Sequence, residues 1–89
     1  MIKSGFSVVR SFGYKTILDT DEKVKKFVEI ARDFSGRVIV EQYLYRVNGK
    51  SENAIRFGVD TKMPVQILYM GSKAEFRRFH SMCKEADLV

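Results

Sequence analysis

Eighty-nine residues, 45% of them hydrophobic and 30% charged, make one domain with a small core and exclude a large multi-lobed enzyme with a deep cleft. Sixteen Lys and Arg against eleven Asp and Glu give a formal net charge of +5, which favours acidic partners without specifying any chemistry. No apolar run reaches the roughly 18 residues of a membrane span, and residues 1–10 are too polar for a secretory leader. The lone cysteine, Cys83, excludes an internal disulfide and a cysteine-built zinc site, so a reducing cytoplasm is expected.

No repeat, low-complexity run or linker divides residues 1–89, which are read as a single domain. Phe6–Phe12 alternates loosely and predicts a strand, with its continuation past Gly13 through Tyr14 to Leu18 left open. Asp21–Phe34 turns helical, because Val24, Phe27, Val28, Ala31 and Phe34 fall on one apolar stripe. Asp19 or Thr20 caps its start, the early acids complement the helix dipole, and Ser35-Gly36 ends it. Arg37–Val40 and Leu44–Val47 predict two strands joined by a turn over Glu41-Gln42-Tyr43, which lacks the usual glycine. Ser51 caps a short helix running through Phe57 to Gly58, and Val65–Met70 is a strand with Val65, Ile67 and Tyr69 on one face. Ser72-Lys-Ala-Glu75 forms a capping box for a last helix with Phe76, Phe79, Cys83 and Ala86 inward and Met82 alongside. The order strand, helix, strand, strand, short helix, strand, helix predicts an α+β open-faced sandwich. Its four-stranded, mostly antiparallel sheet carries three helices on one face and wets Arg46 and Gln66 on the other.

Few residues carry chemistry. Gly49-Lys50-Ser51 lacks the earlier glycine of a phosphate loop, since Leu44 stands there, and reads as a loop feeding a helix cap. His80, the only histidine, has no carboxylate or thiol at metal-binding or dyad spacing and reads as a half-buried, hydrogen-bonded helix residue. Asp19, Asp21 and Glu22 stabilise a helix start rather than hold calcium, which needs a longer oxygen ladder and a glycine. Cys83, Met70 and Met82 read as packing. Tyr43, Tyr45, Arg46, Lys50 and Arg56 interleave aromatics with cations as a nucleic-acid platform does, with Tyr45 open to either face and no ribonucleoprotein signature present.

The run Phe27-Val28-x-Ile30-Ala31-x-x-Phe34, then Val38-Ile39-Val40 and Val47-Asn48-Gly49-Lys50-Ser51, resembles HPr, the histidine-containing phosphocarrier protein of the bacterial sugar phosphotransferase system. The resemblance covers most of the chain, rests on core spacing, and implies a sandwich of four strands and three helices. It does not carry the activity. The family opens its first long helix with Gly-Leu-His-x-Arg-Pro, whose histidine accepts and passes on a phosphoryl group. Here Thr20 stands at the histidine position, Glu22 at the arginine position and Lys23 at the proline position. A doubly negative phosphohistidine would meet three carboxylates on that turn, each costing on the order of 1–4 kcal/mol at a partly exposed site. The family's regulatory phosphoserine position is matched by Ser51 after Lys50, with Glu52-Asn53-Ala54 replacing a mainly apolar docking pair.

Three functions follow as expectations, none of them needing a cofactor or a metal. The first is a non-enzymatic, regulatory or protein-interaction domain on an HPr-like scaffold, with Arg46, Lys50 and Arg56 as an anion or partner face. The second is a basic nucleic-acid binder using the uncovered sheet face, and the third a regulator phosphorylated on Ser51.

Overall fold

The computed structural model of the protein describes residues 10–89 and contains seven elements: β1 (Arg10–Thr16), α1 (Asp21–Arg32), β2 (Arg37–Gln42), β3 (Tyr45–Asn48), α2 (Glu52–Gly58), β4 (Val65–Gly71) and α3 (Lys73–Glu85). The four strands form one sheet in the order β1-β4-β2-β3, every neighbouring pair antiparallel. This is the α+β open sheet with three helices expected from the element order.

Alternation sorts the sheet into two faces. Val38 and Val40 of β2 join Val65, Ile67 and Tyr69 of β4 in one buried cluster with Val24, Phe27, Val28 and Ala31 of α1, Ile55 of α2, and Phe79 and Cys83 of α3. All three helices therefore cover the same face. The alternates Arg37, Ile39 and Glu41, Gln66, Leu68 and Met70, and Arg46 and Asn48 lie on the other. Arg46 and Gln66 are there as expected, but Ile39, Leu68 and Met70 give that face an apolar centre as well. Aromatic rings fill the middle of the core. Phe79 lies 5.3 Å from Tyr69, 5.6 Å from Phe34 and 5.9 Å from Phe27, centroid to centroid.

The strand predicted at Phe6–Phe12 falls partly outside the described residues. From Arg10 it runs straight through Gly13 to Thr16, because Phe12, Tyr14 and Thr16 keep the inward parity and Gly13 pairs with Leu68 on the open side. Helix α1 stops at Arg32, with Asp33 as its C-cap at φ −77°. Gly36 is therefore not a left-handed cap: among the described residues no glycine has a positive φ. It is small because a Cβ there would stand 2.5 Å from both the Met70 carbonyl oxygen and the Tyr69 ring.

The β2–β3 hairpin turns at Tyr43-Leu44, one residue later than expected. Gln42 is drawn into β2 because its buried amide has work in the fold. Its Nε2 donates to the Asp60 carbonyl at 2.8 Å, its Oε1 accepts from the Asp60 N–H at 2.8 Å, and the loop before β4 is thereby pinned to the strand end. Tyr43 then takes φ 54° at the first central position, where glycine is favoured. A non-glycine residue in that region costs about 1–2 kcal/mol.

The capping box of α3 is half formed. Ser72 Oγ accepts from the Glu75 N–H at 3.1 Å, but the Glu75 carboxylate turns outward from the helix end. It accepts from the Tyr69 hydroxyl and from Ser35 Oγ, each at 3.4 Å, so it ties α3 to β4 and to the start of β2. Met82 is exposed and Met70 half-buried on the open sheet face, so neither is the core residue expected. Cys83 is fully buried, as read.

Candidate functional site

The start of α1 is the first place the sequence singles out. Thr20 is the N-cap (φ −131°, ψ 155°), and its hydroxyl oxygen accepts from the Lys23 N–H at 3.1 Å. Asp21 and Glu22 occupy the first turn, where the free N–H groups favour negative charge. Lys23 Nζ turns back to Asp19 Oδ1 at 3.2 Å. Arg56 of α2 makes the cross-link between helices, with Nη2 2.6 Å from Glu52 Oε2 and Nε 3.7 Å from Asp21 Oδ1, the second contact ionic but too long for a hydrogen bond. A shallow hollow of about 320 Å³ beside this turn is lined by Thr20, Glu22, Lys23, Lys26 and Asp87. It has no imidazole, and its cations Lys23 and Lys26 share it with the carboxylates of Glu22 and Asp87.

His80 is far from that turn in contact terms. Its ring lies 4.5 Å from Tyr14 of β1 and stacks on Phe76 of α3 at 5.5 Å and 7°. The half-buried character expected for it is found, but the hydrogen bond is not: Nε2 is enclosed and has no partner. The Tyr14 hydroxyl beside it is likewise without a partner, and burial, then the Cys83 thiol, pushes the phenol upward. Burial first, and the Lys84 ammonium second, holds His80 below its ordinary 6.5.

A depressed histidine binds fewer protons folded than unfolded, so stability is complete above pH 6.5 and falls as the pH drops through the folded value. The urea midpoint should accordingly decline between pH 7 and about 5, before most carboxylates titrate. His80→Gln should flatten that slope, and an unchanged slope in the variant would assign the acid sensitivity to another group.

Ser51 caps α2, its Oγ accepting from the Ala54 N–H at 3.2 Å. Lys50 precedes it but is spent elsewhere: its N–H donates to Asn48 Oδ1, and its ammonium reaches the Phe34 carbonyl at 2.5 Å. Arg32 Nε donates to the Lys50 carbonyl at 3.0 Å, so this loop is tied to the end of α1. Glu52 stands next to Ser51 and pairs with Arg56.

The residues read together as one cationic, aromatic platform are therefore divided. Arg46 is on the open sheet face, where its Nε donates to Glu41 Oε2 at 2.8 Å. Arg56 is on α2 among acids. Tyr45 pairs with Gln42 and so has the parity of the helix-covered face, and Tyr43 is at the hairpin tip. Among the described residues, no aromatic ring occupies an open-face position of the sheet.

Sequence reasoning missed a different set. Leu44 is 96% exposed and Phe57 86%, with Tyr43 and Tyr45 also largely exposed. Leu44 was assigned to a strand and Phe57 to a helix, and neither periodicity nor composition shows that the first is a turn tip and the second the outer face of α2. The elements carrying them adjoin. α2 packs on β3, and Gln42, next to the hairpin tip, holds the loop that follows α2. Among the described residues no group of three His, Cys, Asp or Glu is placed to hold a metal ion, and no helix is long and apolar enough to cross a membrane. Comparison of the chain with protein-family models, with curated proteins and with solved structures returned no match in any of the three.

Proposed function

We propose that this chain is a protein-interaction domain on an HPr-like scaffold, without phosphoryl transfer and acting by contact rather than catalysis. The observation that carries the reading is the apolar set at one end of the molecule: Tyr43, Leu44 and Tyr45 at the hairpin, with Phe57 on the neighbouring α2. Scattered apolar residues are ordinary on surfaces, but large ones gathered at a turn tip are where protein partners dock. Tyr43 adds to this, because the turn keeps a tyrosine where glycine would relieve its backbone strain. The occupants of the α1 start support the second half of the reading: a threonine cap stands where the imidazole acceptor would be, with three carboxylates around it and Lys23 paired to one of them, Asp19.

Two measurements test it. Incubation with the upstream enzyme of the phosphotransferase system and phosphoenolpyruvate should leave the chain without acid-labile phosphate, and a labelled chain would overturn the non-carrier assignment. A specific partner captured by the wild-type chain should be lost at least tenfold with Leu44→Asp plus Phe57→Asp, since buried anchors at an interface each contribute about 2 kcal/mol or more. Equal capture by both proteins would remove the hairpin end as the docking surface.

A further inference from the structure

A second concavity, larger than the hollow at the start of α1, lies where the start of β2 meets the end of β3. It is an open groove of about 470 Å³, and its lining includes Gly36, Arg37, Ile39, Arg46, Asn48 and Lys50. The register explains the gathering. Ile39 pairs with Asn48 on one side and with Leu68 on the other, and strand alternation puts Arg37, Ile39, Arg46 and Asn48 on the same uncovered face. Three cations separated by nine and four residues in the chain are thus brought around one apolar position.

The polar groups left to this groove are donors. Arg37 is exposed and forms no ion pair among the described residues. Arg46 uses Nε on Glu41, which leaves the two Nη groups of its guanidinium. Asn48 accepts the Lys50 N–H through Oδ1, so its NH₂ is the half that remains. Lys50 gives one of its three ammonium donors to the Phe34 carbonyl. Against Arg37, Arg46 and Lys50 stands one carboxylate in direct contact, Glu41, already neutralised by Arg46. Another acid, Glu75, accepts from Ser35 at the groove's end and from Tyr69.

From this we infer that the groove binds a small phosphate monoester, with the phosphoryl oxygens on Arg37, Arg46 Nη and Asn48 Nδ2 and the carbon skeleton over Ile39 and Leu68. A phosphate monoester presents mainly acceptors and carries close to two negative charges, which matches a wall rich in charged donors better than a carboxylate does. The volume is that of a metabolite site. A single-stranded nucleic acid is disfavoured, because binding it without pairing relies on stacking, and among the described residues the uncovered face has no ring to stack on. The groove is separate from the apolar hairpin end, so this inference stands or falls independently of the docking role.

The test is an amide-resolved NMR titration of the ¹⁵N-labelled chain at low salt with glucose 6-phosphate, AMP and inorganic phosphate, and with glucose and adenosine as uncharged counterparts. At least one phosphate should shift Gly36, Arg37, Asn48 and Lys50 saturably, while glucose and adenosine do not. Inorganic phosphate matching the esters would identify the free anion as ligand; tighter binding of either ester would identify a phosphorylated metabolite. Arg37→Glu, which breaks no ion pair, should weaken binding by about tenfold or more. Lys15→Glu, at an exposed position of the same face but outside the groove, should change it less than threefold. Arg37→Gln, with its melting temperature checked, should weaken binding in the same direction and gives the reading if Arg37→Glu fails to fold, unchanged affinity in a folded variant overturning the inference. Absence of saturable shifts with all three phosphates would overturn the inference. So would equal weakening by Lys15→Glu, shifts centred on Lys23 and Lys26, or a single-stranded oligonucleotide binding more tightly than AMP while also shifting Lys15.

Discussion

Phe79→Ala should be the most destabilising single truncation in this fold, costing about 4 kcal/mol. Phe79 has no exposed surface, and four rings surround it: Tyr69 stacked at 5.3 Å, Phe34 and Phe27 edge-on at 5.6 and 5.9 Å, and Tyr14 tilted at 6.4 Å. Those rings come from β4, the end of α1, α1 itself and β1, so no one element can move in to refill the space. A chain this short has a total stability on the order of 5–13 kcal/mol, and the loss takes a large share of it. Urea unfolding of the variant should show an early or absent transition. Phe57→Ala, which removes an equally large ring 86% exposed to solvent, should stay within about 0.5 kcal/mol of wild type. Similar losses for the two would mean that the ring cluster is not the centre of the core.

Gly36→Ala should cost about 3 kcal/mol, at the upper end of what one added methyl causes by overpacking. The new Cβ would meet the Met70 carbonyl oxygen at 2.5 Å and the Tyr69 hydroxyl at 2.6 Å. One is backbone of the central strand. The other is a buried group that accepts the Gly36 N–H at 3.2 Å and donates to Glu75. Relief requires β2 to back away from β4, which breaks that hydrogen-bonded chain as well as the ladder. Chemical denaturation of Gly36→Ala beside Gly71→Ala separates crowding against backbone from crowding against side chains alone. At Gly71 the added methyl would meet the Glu75 carboxylate end and the Tyr69 ring edge, both at 2.9 Å and neither of them backbone, so the loss there should be smaller. A Gly36→Ala chain as stable as wild type would show that the close approach of β2 to β4 is not needed.

The order of elements and both long helices are legible in the sequence because they rest on repeated signals. Four apolar residues of α1, with Phe34 just beyond its end, and the Phe79–Cys83 stripe of α3 are spaced by the helix period and bury as that spacing requires. The boundaries that moved did so for tertiary reasons. Gln42 reads as a turn residue and becomes the end of a strand because its amide finds Asp60 across the fold. Tyr43 takes a positive φ that its type disfavours, so the turn carries no glycine to announce it. Glu75 leaves its local capping role for Tyr69 and Ser35, a contact spanning 40 residues that no window of sequence displays. The sites divide the same way. Thr20 and Ser51 are helix caps, local features found where their spacing put them. The groove depends on the pairing of Ile39 with Asn48, and Arg37 gave no signal of its own. Its parity with Ile39 was the available clue, usable only once the register is known.

Thr16 closes the core at its far edge: its hydroxyl donates to the Leu88 carbonyl at 2.7 Å, and both residues are buried. On the ribosome, Thr16 emerges long before its partner, at roughly 5–20 residues per second. Among the described strands its partner is β4, itself made late. β1 therefore spends much of translation with its ladder groups and its inward Phe12 and Tyr14 uncovered. The stretch from α1 to β4 can assemble meanwhile around the central strands, and the molecule is completed when its oldest strand and its youngest turn meet.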